Sequence, residues 1–136
     1  MSEQATPVNS GNCFVCGQHN SRGMQISFRL QGDKCLAEYT PPAHFCGFDG
    51  VTHGGILFSL LDDVMANWLY LNGERAYTGK CEIRYREPAA TGQKYLLEAE
   101  QLNRKGRTAK MAGRILHPDD NRVVAEAAAT FVIIPD

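Results

Sequence analysis

The sequence predicts an α+β fold in which one long central helix is wrapped by a curved antiparallel sheet of about six strands. Three observations predict it. Residues 53–64, "HGGILFSLLDDV", open the one long stretch with helical apolar spacing. Two strand-like runs precede that stretch and four follow it, each bounded by turn residues. Strands and helices do not alternate, so parallel Rossmann or barrel topologies fit poorly.

Residues 1–12 are rich in Ser, Asn, Gln, Pro and Gly, which predicts a flexible N-terminal tail ahead of a single domain over 13–136. At 136 residues the chain is long enough for one buried core and too short for two ordinary domains. Met24, Ile26, Phe28 and Leu30 alternate with Gln25, Ser27 and Arg29, the period of a half-buried strand. A turn at "QGD" and the run "KCLAEY" complete a predicted hairpin. "TPPAHFCGFDGVT" is too rich in Pro and Gly to extend either strand and reads as a loop that positions the helix.

The helix is predicted from about Gly54 to about Leu71, stopped by "NG". Leu57, Leu60, Leu61, Val64, Trp68 and Leu71 form one apolar stripe, which faces the sheet. Phe58, Met65, Ala66 and Leu69 occupy the opposite side. A helix apolar nearly all round is buried on both sides, and a second subunit is the expected cover. Four strand candidates follow, near 77–87, 93–103, 107–116 and 122–134. The turn signals "EPAATG", "NRKG" and "HPDDN" separate them into a predicted meander. The last strand places Val123, Ala125, Ala127, Ala129, Phe131 and Ile133 on one face, small enough for the helix to lie close.

Two adjacent acids interrupt this apolar helix. Asp62 has Phe58, Met65, Ala66 and Leu69 as helical neighbours, whereas Asp63 has Ser59, Ala66, Asn67 and Tyr70. Asp63 is therefore expected on a polar flank. Asp62 is expected among apolar groups, where leaving even a neutral polar group unpaired costs roughly 2–7 kcal/mol, and a functional site is the commoner reason to bear that cost. The alternative is a structural ion pair with an Arg across an interface. At the helix start, "HGG" leaves unpaired N–H groups at the positive end of the dipole, suited to an oxyanion or a polarised carbonyl. Gly55 and Asp62 lie roughly 10 Å apart along the axis, too far to share one small reacting group from the same helix. Two helices packed antiparallel across a two-fold axis would bring the glycine end of one to the acid of the other.

With 14 basic and 15 acidic residues the net charge is -1, so no global field favours nucleic acid or an anionic membrane. The composition, 43% hydrophobic and 21% charged, is that of a packed soluble chain. No secretory signal pattern or membrane-length apolar run occurs, and the expected compartment is the cytoplasm. Walker-type and dinucleotide glycine motifs are absent.

"GFDGVTHGGILFSLLDDVM" and "TGKCEIRYREPAATGQ" resemble the hotdog-fold acyl-CoA thioesterases, the PaaI-like group above all, over about residues 13–134. The resemblance implies hydrolysis of a small or medium acyl-CoA, aliphatic or aromatic, to free acid and CoA. It implies no cofactor beyond the coenzyme A of the substrate, and self-association as a homodimer or dimer of dimers, a homotetramer. By resemblance the catalytic acid is Asp62, nine positions after His53. Gly55 would donate its N–H to the thioester carbonyl, His53 would shape that oxyanion site, and Thr78 would help hold the water. One departure is Gly47, where several relatives carry Asn or Gln. Gly54, Phe58 and Met65 are expected to touch substrate, with core or dimer packing as the commoner alternative for Phe58 and Met65. Arg84 and Arg86 on one strand face, and Arg104, Lys105 and Arg107 at the turn "NRKGR", are candidate phosphate contacts, with ordinary solvated surface as the alternative. A thiol leaving group, about 7 pKa units more acidic than water, needs little help from a general acid. One carboxylate, as general base or as nucleophile, and one oxyanion donor suffice. The alternative on the same scaffold is a non-catalytic acyl-CoA binding or sensing protein.

Five cysteines, an odd number without an export signal, argue against a disulfide framework. "CFVCGQH" gives Cys13, Cys16 and His19 the spacing of half a zinc site. A fourth ligand would have to come from Cys35, His44 or Cys46, so no metal is expected, and buried thiols or a weak redox pair are the alternatives. His117, in "HPDD", is expected to be exposed and structural.

Overall fold

The computed structural model describes residues 10–135. Its elements run β1 (Arg29–Gln31), β2 (Lys34–Tyr39), a 3-10 turn (Ala43–Phe45), α1 (Gly54–Leu71), β3 (Arg75–Tyr85), β4 (Tyr95–Lys105), β5 (Thr108–Leu116) and β6 (Val123–Ile134). All six strands form one antiparallel sheet in the order β1-β2-β4-β5-β6-β3, with α1 packed against it. This is the helix-and-sheet architecture predicted above, with the helix bounds where the apolar spacing and "NG" put them. None of the described helices is long and apolar enough to cross a membrane.

The helix lies close because the sheet beneath it is built of small residues. Cys35, Ala99, Gly113 and Ala127 stand in register across β2, β4, β5 and β6. A Cβ on Gly113 would lie 3.0 Å from Met65 Cγ, so the helix sits directly on the backbone there. Leu57, Leu60, Leu61, Val64, Met65 and Leu69 are buried against this floor, and each contributes roughly 1.5–3 kcal/mol by leaving water. Gly113→Val should therefore destabilise by about 1–3 kcal/mol through overpacking. Chemical denaturation checks this, and a midpoint equal to wild type would mean that the helix is free to shift.

Several expectations are corrected. Met65 and Leu69 belong to the buried face of α1, while Leu71 at its end is exposed and Trp68 is half-buried with its indole N–H donated to Asp33 O at 2.8 Å. The concave sheet covers more of the helix circumference than a flat one would, so the apolar stripe is wider than the one drawn from periodicity. Met24–Leu30 is not one strand, because Gln25 takes a φ of +53° and the segment bonds residues 14 and 15 instead, through Met24 N–H to Phe14 O and Ile26 N–H to Val15 O. Of the tail expected over 1–12, residues 1–9 lie outside the described residues. Cys13 N–H donates to Ser10 O and His19 N–H to Gly11 O, so 10–12 are tied into the N-terminal turns. Only β4, β5 and β6 form a meander. β3 pairs with β6 and becomes a sheet edge, leaving β4 to pair with β2.

His117 is half-buried rather than exposed, bonded to Gln93 and Glu87. Arg122, then His117, pull the Glu87 carboxyl down to about 2 from its ordinary 4.5. A depressed carboxyl stabilises the fold above its unfolded pKa and loses that contribution as pH falls through the folded one. Stability should therefore drop between about pH 4.5 and 2, and Glu87→Gln should flatten that part of the acid-denaturation curve. An unchanged curve would contradict the assignment.

Candidate functional site

The start of α1 is fixed from three sides. Thr52 N–H donates to Ala89 O and His53 N–H to Phe45 O, which pins the preceding loop. Tyr85 Oη donates to Gly54 O at 3.0 Å, laying its ring against Gly54. His53 is the N-cap, and its Nδ1 accepts the Gly55 N–H at 2.8 Å. The amide expected to meet a carbonyl is thus held by the His53 ring, which is itself exposed. Gly47 stands beside that ring, and a Cβ there would touch His53 Cδ2 at 3.7 Å. A side chain at this position would extend along the His53 face.

Asp62 lies on the outward stripe of α1, which also carries Gly55, Phe58 and Ala66. Its Oδ1 accepts the Thr78 hydroxyl at 2.5 Å. This contact depends on a bulge. Thr78 pairs with Phe131 and Lys80 with Thr130, so Gly79 is an extra residue in β3. Without it, Thr78 would share the outer face with Lys80, Glu82 and Arg84. With it, Thr78, Cys81, Ile83 and Tyr85 all turn toward the helix.

The burial of the two acids reverses the expectation. Asp63, predicted on a polar flank, is the more enclosed, because the N-terminal segment folds over it. Its Oδ2 accepts the Asn67 Nδ2–H at 2.9 Å, and Cys13 Sγ lies 3.7 Å from its Oδ1. Burial pushes the Asp63 carboxyl up, while hydrogen bonds from Cys16, Cys13 and Asn67 oppose the rise and neighbouring Asp62 adds to it. Burial, then Asp63, pushes the Cys16 thiol up. Asp62 is half-buried beside Thr78, and Phe58 on the same stripe is exposed.

The structure brings His53, Gly54 and Gly55 together at one end of the stripe and Asp62 with Thr78 at its middle. Met65 lies apart, in the core under the helix. Arg84 and Arg86 line a cavity of about 510 Å³ on the outer face of the sheet with Glu82, Arg114 and Glu126, away from α1. Arg86 is paired there with Glu126. Arg104 is paired with Glu74 and bonded to Gln101, so it is tied to the end of the helix; Lys105 and Arg107 are exposed at the hairpin tip. The tip neighbours the C-terminal end of α1, about 25 Å along the axis from Gly54 at 1.5 Å per residue. Tyr85 was missed by sequence reasoning. Its signal is the period-2 run Cys81, Ile83, Tyr85, which points at the helix only once the Gly79 bulge is known.

Residues 49–124 match the sequence pattern of the Thioesterase superfamily. No curated protein matches the chain. Among solved structures, a thioesterase superfamily protein, RHA08564, aligns with a TM-score of 0.79 and 24% identity over 87% of this chain. The chain spans 61% of that protein's length. A Streptococcus mutans protein solved bound to acetyl-CoA aligns at 0.74 and 17% identity, covering 82% of this chain and 90% of that one. The E. coli PaaI protein, from the phenylacetic acid degradation operon, aligns at 0.74 and 22% identity, covering 81% and 80%. The sheet order, the wrapped helix and these alignments identify a hotdog fold, and the match over residues 49–124 places the chain in the thioesterase superfamily.

Proposed function

We propose that this protein hydrolyses the thioester of a small or medium acyl-CoA, at a site completed by a second copy of the chain. The observation that carries the reading is Asp62, a half-buried carboxylate on the outward stripe of α1 held by the Thr78 hydroxyl. Solved relatives bound to acetyl-CoA and to coenzyme A support the substrate class. β3, an eleven-residue edge strand with Tyr77 and Tyr85 exposed on it, supports the assembly. Unpaired edges of that length are usually covered. Joining two β3 edges would set two α1 helices side by side and antiparallel, with the Gly55 end of one near Asp62 of the other.

In this reading Asp62 takes a proton from water as its oxygen attacks the carbonyl carbon, or attacks that carbon itself to form an anhydride. Thr78 fixes the carboxylate. The carbonyl oxygen replaces His53 Nδ1 as acceptor for the Gly55 N–H, stabilising the developing oxyanion. The C–S bond then breaks and the CoA thiolate leaves without a dedicated acid. A second reading, acyl-CoA binding without turnover, draws on the occupied Gly55 N–H and on Gly47. Free-thiol release from a panel of aliphatic and aromatic acyl-CoAs separates the two. Turnover of at least one supports hydrolysis, and tight binding with no thiol released supports the binder.

A further inference from the structure

We propose that Cys13, Cys16 and Asp63 bind one zinc-class divalent cation, which fastens the N-terminal segment to α1 beside the catalytic stripe. The sequence supplies half of such a site, and the fold supplies a third ligand fifty positions away. The two sulfurs and an Asp63 oxygen all lie within 4.8 Å of one another. Two Zn–S bonds of about 2.3 Å at a tetrahedral angle separate their sulfurs by about 3.8 Å, so closure is a small contraction of this cluster. Neither His19, His44, Cys35 nor Cys46 joins the cluster among the described residues.

The backbone around the sulfurs has the form a thiolate requires. The N–H groups of Val15 and Cys16 both lie 3.4 Å from Cys13 Sγ and point at it, placing two donors on a sulfur that would carry negative charge. Gly17 makes the turn possible, because a Cβ there would lie 2.3 Å from Cys13 N and 2.5 Å from Gly11 O. On the helix side, buried Asn67 donates to Asp63 Oδ2 and to Asp63 O, both at 2.9 Å, which leaves Oδ1 toward Cys13. The donors are two soft sulfurs and one carboxylate, a set that suits zinc and disfavours magnesium or calcium. They border a cavity of about 280 Å³, with room for a water as fourth ligand. Binding is balanced by release of the two thiol protons to solvent, giving two thiolates, one carboxylate and one M²⁺.

The test uses the full chain without a polyhistidine tag, reduced, stripped of metal and titrated with Co²⁺. A sulfur-to-cobalt charge-transfer band saturating at one ion per chain, bleached by Zn²⁺, is expected. Its intensity should fall by about half in Cys13→Ser or Cys16→Ser, one of two thiolates being lost, and stay unchanged in Cys46→Ser. Asp63→Asn, close to isosteric, covers the case in which a cysteine variant fails to fold, and should weaken binding about 10-fold or more. No band in reduced wild type, as for a simple disulfide pair, would overturn the site. So would equal intensity in the cysteine variants, or unaltered affinity in Asp63→Asn. The readout is independent of acyl-CoA hydrolysis, so either proposal can fail alone.

Discussion

Asp62→Asn should lower acyl-CoA hydrolysis about 10²- to 10⁴-fold, the range lost when a positioned acid–base group is removed. The fold should be indifferent to the change. Asn offers an oxygen at the position where Asp62 accepts the Thr78 hydroxyl at 2.5 Å, and the side chain lies on the outward stripe of α1 rather than in its core. The loss should appear in kcat with little change in KM, because the carboxylate is assigned to the transition state and not to ground-state binding. Steady-state thiol release with unfolding midpoints on the same preparations checks both halves. Unchanged hydrolysis would sink the mechanism, whichever of the base and nucleophile roles Asp62 plays.

Gly55→Pro should lower kcat about 10²- to 10³-fold by removing the single N–H assigned to the oxyanion. Proline is suited to this comparison. Its missing N–H belongs to the second position of the first helical turn, where no intrahelical acceptor exists, and its φ matches the helix. What the fold loses is the bond from the Gly55 N–H to His53 Nδ1, a cap worth about 1 kcal/mol, and the exposed His53 ring must turn aside from the new Cβ, which would meet its Nδ1 at 3.1 Å. A large rate loss with a small stability loss is therefore the expected pattern, and kinetics with thermal unfolding read it. A variant that hydrolyses normally would show that the carbonyl is held elsewhere.

The helix was legible because its signals are local. Apolar spacing set its length, "NG" its end, and Gly73 at a φ of +90° supplies the stop. The existence of β2 and of the four strands after the helix was legible for the same reason, whereas the alternation over Met24–Leu30 misled, because only its end enters β1 (Arg29–Gln31). Strand partners were not, since nothing in "EPAATG" says that β3 joins the far edge of the sheet and not β4. The bulge at Gly79 was hidden too, and with it the reason Thr78 faces Asp62 instead of solvent. The helical neighbours of Asp63 were read correctly, Asn67 among them, but its burial comes from the segment of Cys13 and Cys16, Cys13 being fifty positions away in sequence. Met65 was misplaced because a concave sheet covers a wider arc of helix than a single stripe. Periodicity orders residues around a helix; which arc is covered depends on what folds over it.

Mixing the two inactive variants tests the composite site most directly. A dimer of one Asp62→Asn chain and one Gly55→Pro chain carries one site with both defects and one with neither, if each site takes Gly55 from one subunit and Asp62 from the other. Random exchange makes half of the dimers mixed, so activity should return to about a quarter of wild type. Co-refolded chains assayed for thiol release give the result. Recovery near that level is predicted, and a mixture as inactive as its parents would place both groups within one chain and contradict the account.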